Sequence, residues 1–369
     1  MGRSCQRLLA LLLLGATCLI LPGGRAETAP VSLRTDAYKD LGFTVDAPVI
    51  LPEGYSQGKG LPTLKARRLD SLGLVQPEWF NESGIASTED RVENEHAQRD
   101  TVFDDGSSLS VGESGWLHYV GAGKKSIRIH TLGTLARLRP MVNPREYKEA
   151  LASTELPFGT LEDAVSQVEA LMARLGPSSL RLIHALDLRL GRIQRLGEAH
   201  NKALQTYDPQ SKDVYDYSAL TEADECFFLI FCGEADGVPI LENTYAVQGT
   251  GAFVSGMAVT VLVGQSGIAY LSHSGSYVPD GIATENEALL TAEEALAVFA
   301  RDNGRVQRGH CEAVTEMMLV YAPVPDPEAS GGFRLEPCWR ILYRLNRAGM
   351  EAREAGFTQI SLSHQVSPL

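Results

Sequence analysis

Residues 291–343 constrain the fold more tightly than any other stretch of the chain. Thr291 stands three residues ahead of Glu294, the spacing at which a threonine hydroxyl and a carboxylate each take up an unpaired backbone N–H at a helix start. Ala292, Ala295, Leu296, Phe299 and Ala300 then share a stripe, Glu293, Arg301 and Asp302 fall off it, and Asn303-Gly304 supplies a left-handed stop. The stripe needs an apolar partner. Residues 317–322 offer one, an unbroken apolar run too short for a helix and closed by Pro323. Pro325, Pro327 and Ser330-Gly331-Gly332 make a loop. Leu335, Trp339, Ile341 and Tyr343 return as a second strand opening at Pro337, where a missing donor is tolerated. The expected unit is helix, strand, loop, strand.

A second start of the same kind lies upstream. Thr160-Leu161-Glu162-Asp163 repeats the cap, and Leu161, Val165, Val168, Leu171, Met172 and Leu175 repeat the stripe before Gly176-Pro177 ends it. The likeness reads as an internal duplication. Residues 180–184 follow as a strand, 189–204 as a helix and 208–218 as polar loop. Residues 226–232 form a strongly apolar strand, and Asp236-Gly237 turns the chain into Val238-Pro239-Ile240. Residues 258–263 and 268–271 pair through a glycine-bounded turn. Toward the N-terminus, residues 44–52 and 61–65 read as sheet edges, and the polar stretch 77–99 as a surface helix plus loop. Residues 101–103 and 109–111 flank Asp104-Asp105-Gly106 as a hairpin that 116–119 and 127–129 extend into a meander. The expected class is α+β: antiparallel sheets, each covered by a helix, in repeated modules. The expected division is a β-rich block at 27–150, a first module at 151–255, a second at 256–350 and a tail at 351–369.

Residues 1–26 read as a secretory signal peptide: Arg3 and Arg7, an apolar core at 8–21, then Gly24 and Ala26 as small residues before cleavage. That core is shorter than the roughly 20 residues of a spanning helix, so an uncleaved anchor is the lesser reading. Cys18 only loosely fits a lipidation motif, because Leu19-Ile20-Leu21 prolongs the apolar core beyond it. The chain is therefore expected outside the cytoplasm, secreted or associated with the cell envelope, and without an integral span once the signal is removed. Cleavage would carry off Arg3, Arg7 and Arg25 and no acid, leaving the chain more acidic than its full-length net charge of −13. Nucleic acid is excluded as a partner, since binding it requires cations that release its counterions. Four of the six cysteines remain: Cys226, Cys232, Cys311 and Cys338. Cys226 and Cys232 at the two ends of one extended strand lie too far apart to bond with each other. A bond between Cys311 and Cys338 and four buried thiols both fit.

Several segments in order carry a family resemblance: Gly237-Val238-Pro239-Ile240, Gly267-Ile268, Thr291-Ala292-Glu293-Glu294-Ala295-Leu296, Leu319-Val320-Tyr321-Ala322-Pro323 and Leu335-Glu336-Pro337-Cys338-Trp339. Together they resemble exported bacterial proteins whose helix-on-sheet modules are similar to PepSY domains and to extracytoplasmic regulators of the YycH and YycI type. The resemblance spans about 155–345, with an echo at 45–52. It implies a protein that binds or regulates envelope proteins, in some cases proteases or sensor kinases, and it assigns no catalytic residue.

Motifs of catalysis are mostly missing. No G-x-S-x-G elbow occurs, and Gly275-Ser276 beside His273 reads as a turn with a solvated histidine. His310-Cys311-Glu312 groups three reactive types, but neighbours on a strand point to opposite faces. Asp208, Asp213 and Asp216 miss the spacing of a calcium loop, and Gly249-Thr250-Gly251 lacks the Gly-Lys that completes a phosphate loop. His184 and His200 read as structural, Trp339 and Tyr321 as sheet core, and Asn81-Glu82-Ser83 matches a glycosylation acceptor by pattern alone. No catalytic, cofactor-binding or metal residue is assigned. The expected function is noncatalytic binding of a protein or peptide partner through sheet edges or a groove. The alternative is a hydrolase or metal-dependent enzyme with a dispersed site, for which His273, His310, Cys311 and Glu312 are the first suspects.

Overall fold

Strands far apart in the chain combine here into two large sheets. The computed structural model describes residues 31–53, 55, 60–93, 96–113, 115–142, 151–176, 179–246, 253–287, 289–306, 311–329, 331–345 and 356–361. Among them are a nine-stranded sheet, a seven-stranded sheet and four α-helices: α1 (Lys125–Val142), α2 (Leu161–Leu175), α3 (Leu190–Tyr207) and α4 (Ala292–Val306). The class is α+β, as the patterning implies. The signal peptide with Cys18, His310, Gly249-Thr250-Gly251 and most of the tail lie outside the described residues.

The nine-stranded sheet is antiparallel throughout. Its spatial order is Ser179–Leu188, Cys226–Ala235, Ala258–Gly264, Gly267–Ser274, Leu117–Val120, Ser108–Gly112, His96–Phe103 and Ile85–Glu93, with Val238–Pro239 returning onto Cys226–Ala235. Helices cover both faces. Phe227, Leu229 and Phe231 join Val168, Leu171 and Met172 of α2, whereas Phe228 and Ile230 join Ile129 and Leu132 of α1 and Ile193 and Leu196 of α3. A strand buried on both faces must be apolar at consecutive positions, which is why 226–232 reads as a continuous run. At the start of α2, the Asp163 N–H donates to Thr160 Oγ1 at 3.1 Å and the Thr160 N–H donates to Asp163 Oδ2 at 3.0 Å. The expected cap is formed.

The seven-stranded sheet runs Val31–Thr35, Thr44–Ile50, Cys311–Pro325, Gly332–Leu345, Leu61–Arg68 and Tyr277–Glu287, with Gly356–Ser361 also on Gly332–Leu345. One pair, Thr44–Ile50 with Cys311–Pro325, is parallel. Helix α4 lies on one face, packing Leu296 and Phe299 against Val45, Met317, Leu319 and Trp339. The Thr291–Glu294 cap is formed at 2.8 and 3.2 Å. Trp339 is fully buried and its indole N–H donates to Leu290 O at 2.8 Å, so the ring fills the core without an unsatisfied donor.

The two sheets share a junction. Leu64, Tyr277, Tyr321 and Leu335 of one pack with Ala235, Val238, Ile240 and Met257 from the other, and the Leu241 N–H donates to Tyr321 O at 2.8 Å. The chain crosses between sheets at 68–69 and at 275–276, and the crossings are tied by Leu69 N–H donating to Ser276 O at 2.9 Å. Gly275 sits at φ 61 there, and a Cβ would stand 2.5 Å from Gly256 O, so both conformation and space demand glycine.

Several expectations are corrected. Residues 44–50 and 61–68 are interior strands, and the polar 77–99 stretch holds only a short 3₁₀ turn before the Ile85–Glu93/His96–Phe103 hairpin. Exposed ion pairs, Arg99–Asp90 and Arg91–Asp100 at 2.7 Å each, line that hairpin, so neither face shows the apolar alternation of a half-buried strand. Residues 127–129 belong to α1. Helix α4 runs through Asn303-Gly304 to Val306. The strand around Pro337 begins earlier, at Gly332, and Pro337 falls between the Leu61–Arg68 and Gly356–Ser361 ladders, where that edge has no strand partner among the described residues. Strands of 27–150 enter both sheets, and 258–274 joins the nine-stranded one. Cys226, Cys232, Cys311 and Cys338 are buried thiols not joined by disulfides, one of the two arrangements the sequence leaves open.

Candidate functional site

Local turns place the first group of polar side chains. The Cys226–Ala235 strand reverses at Asp236-Gly237, both at positive φ, and delivers Glu242 beneath the seven-stranded sheet. Glu242, 4% exposed at its side chain, accepts from Arg340 Nη1 at 2.9 Å and from Arg137 Nη2 of α1 at 3.4 Å. Arg340 also reaches Glu316 Oε1 at 3.3 Å. Burial pushes the Glu316 carboxyl up against the pull of Arg340, and burial with the Arg340 charge pulls Arg137 down. Four charges thus share a low-dielectric seam between α1 and the seven-stranded sheet. Two guanidinium groups face two carboxylates there, with Arg340 Nε left without a hydrogen-bond partner among the described residues, and the group acts as a clamp at the junction.

Of the reactive side chains singled out from the sequence, His273 and Cys311 lie in different sheets, while His310 and the Glu312 side chain lie outside the described residues. His273 is buried, not solvated as expected, because its strand ends under the crossover at 275–276. Its Nε2 lies 3.2 Å from Ser276 Oγ, and its Nδ1 has no partner among the described residues. Burial lowers its pKa to about 4, which keeps the ring neutral. A serine and histidine so enclosed, with no acid on Nδ1, form a latch at the crossover. Cys311 belongs to the α4 core, on the other sheet. Asp208 and Asp216 accept turn N–H groups from Gln210 and Ser218. No group of three metal-binding side chains occurs among the described residues. His184 is half-buried beside Phe228 and held near pKa 4 by burial and Arg137. Trp339 and Tyr321 are core residues, as expected.

An open cleft that the sequence did not disclose lies at one end of the nine-stranded sheet. The Pro77–Trp79 turn and residues 80–82, the start of α1, the 264–267 turn and residues 223–226 enclose about 770 Å³. Trp79, Phe80, Tyr119 and Ile268 give it an apolar and aromatic wall, with Phe80 and Tyr119 ring centroids 5.5 Å apart. Asp105 lies at its edge, where Ser107 N–H and hydroxyl donate to the carboxylate at 2.9 and 2.7 Å and Asn81 Nδ2 donates at 2.8 Å. These bonds, the Ser107 hydroxyl foremost, hold the Asp105 carboxyl below its ordinary pKa. They also engage the amide of the glycosylation-like Asn81. Lys125 Nζ pairs with Asp224 Oδ1 across the floor at 3.2 Å.

These features define an α+β protein of two helix-covered sheets with a cleft at one sheet end. No protein-family model and no curated protein matches the chain. Among solved structures, an uncharacterized protein from Eubacterium rectale ATCC 33656 is similar in fold, with TM-score 0.55 and 12% identity over 90% of each chain. No helix among the described residues is long and apolar enough to cross a membrane.

Proposed function

We propose that this is an exported, envelope-associated, noncatalytic protein that binds a protein or peptide partner, built from two helix-on-sheet modules akin to PepSY and YycH-type regulators. The cleft is the observation that carries the reading: about 770 Å³, walled by Trp79, Phe80 and Tyr119, within the range of roughly 300–1,000 Å³ usual for ligand sites. Export rests on the pattern of residues 1–26. The module repeat is supported by two 15-residue helices with the same Thr-x-x-acid cap, each laid on a large sheet.

Photocrosslinking tests the binding role. Full-length protein carrying a photoreactive residue in place of Trp79, incubated with envelope extract, should yield one discrete crosslinked species. The same residue in place of exposed Glu328, on the loop between the two longest strands, should yield none. Equal capture at both places, or none at either across several extraction conditions, would overturn the reading.

A further inference from the structure

The cleft combines an aromatic wall with an excess of negative charge. Five carboxylates line it, Glu78, Glu82, Asp105, Asp224 and Glu225, against two cations, Lys125 and Arg174. Their states differ. Asp224 is matched by Lys125, and Glu225 is buried with Oε1 accepting the Leu190 N–H. Glu78 and Glu82 are exposed beside Trp79 and Phe80, and Asp105 is kept ionised by its three donors. A second observation lies in the cavity wall. Ser126, in the first turn of the 18-residue helix α1, is 7% exposed, and its Oγ has no hydrogen-bond partner among the described residues. Buried hydroxyls are rarely left so.

We infer that the cleft receives a lysine or arginine side chain of a partner peptide, its alkyl stem on the aromatic wall and its charged head among Glu78, Glu82 and Asp105. This rests on the binding role proposed above and supplies its chemistry. Long basic side chains bury their methylenes on apolar surface while the head stays polar, and aromatic faces attract the cation. Anionic partners are disfavoured, since the positive end of α1 and Arg174 face the larger acidic set.

The test uses the whole protein and three capped pentapeptides, Ala-Leu-X-Leu-Ala with X as lysine, norleucine or glutamate, titrated at low salt while the Trp79 indole N–H resonance is followed. The lysine peptide should shift that resonance and bind at least about tenfold more tightly than the norleucine peptide. Glu78→Gln/Glu82→Gln, changed only at exposed positions, should weaken the lysine peptide roughly fivefold to tenfold and leave the norleucine peptide alone. Trp79→Leu, titrated by calorimetry because it lacks the reporting indole, should weaken both. Equal binding of lysine and norleucine peptides, tighter binding of the glutamate peptide, no binding of the lysine peptide, or an unchanged lysine affinity in the double variant would each overturn the inference. A partner crosslinked at Trp79 with equal yield by the wild type and the double variant would leave the binding role standing and remove its cationic specificity.

Discussion

The two sheets solve the same burial problem differently. The nine-stranded sheet is sandwiched, with α2 on one face and α1 and α3 on the other, so Cys226–Ala235 is buried at nearly every position. The seven-stranded sheet has α4 on one face. Its opposite face, Met318, Val320, Ala322 and Cys338, meets Leu241 and the Glu242 clamp carried over from its neighbour. One sheet therefore carries its own cover on both sides, and the other borrows half of it. The borrowed half includes buried charge, so the junction is the more fragile part: apolar faces tolerate small adjustments, whereas a buried ion left without its partner does not.

Breaking the clamp should give the largest effect. Glu242→Gln leaves Arg137 and Arg340 without their shared carboxylate and should cost about 3–5 kcal/mol. Urea unfolding of single-tryptophan proteins separates the sheets, because Trp339 reports on the seven-stranded sheet and Trp116 on the nine-stranded one. The Trp339 transition should move to lower urea ahead of the Trp116 transition. Coincident shifts would mean that the sheets unfold as one unit and that the contrast between them is only geometric.

Acid should act in the opposite place. His130, His184 and His273 all belong to the nine-stranded sheet or its helices, and burial lowers each from 6.5 to about 4. His130 stacks on Tyr270 with centroids 4.1 Å apart. The unfolded chain takes up protons below pH 6.5 that the folded chain refuses until about pH 4. Stability is therefore full above pH 6.5 and lost as pH falls toward 4, by about 1–3 kcal/mol for each histidine. The Trp116 midpoint should fall across that window more steeply than the Trp339 midpoint. His130→Phe/His184→Phe should flatten it, and an unchanged slope would show that other groups govern acid unfolding.

The same contrast decides what the sequence could disclose. Both caps were legible because Thr160–Asp163 and Thr291–Glu294 are local, and 226–232 and 317–322 were legible because burial on two faces leaves an apolar run. Helix α1 was hidden. It has no acid in its first turn, and it holds Gly133, where the Phe228 ring occupies the space a side chain would need. The parallel pairing of Thr44–Ile50 with Cys311–Pro325 was hidden too, because nothing local specifies a partner so distant. The clamp and cleft share that difficulty. Arg137, Glu242 and Arg340 stand 105 and then 98 positions apart, and the cleft draws on segments from Glu78 to Ala269. Alternation identified cores well and could not identify a site made of unrelated turns.

The smallest effect tests the likeness between the sheets. Thr160→Ala and Thr291→Ala each remove a hydroxyl that accepts the N–H of the third helical residue, at 3.1 and 3.2 Å, and each should cost about 1 kcal/mol. Serine at either position should restore most of the loss by keeping the acceptor. Both helices bury an apolar stripe on a large sheet, and Leu161, Val168 and Leu171 of α2 correspond in role to Ala292, Leu296 and Phe299 of α4. Equal losses, each read at the tryptophan of its own sheet, would sharpen the reading of two related modules. A loss confined to Thr291→Ala would break it: a helix on the sandwiched sheet would then be held by packing alone, and one on the singly covered sheet would depend on its cap.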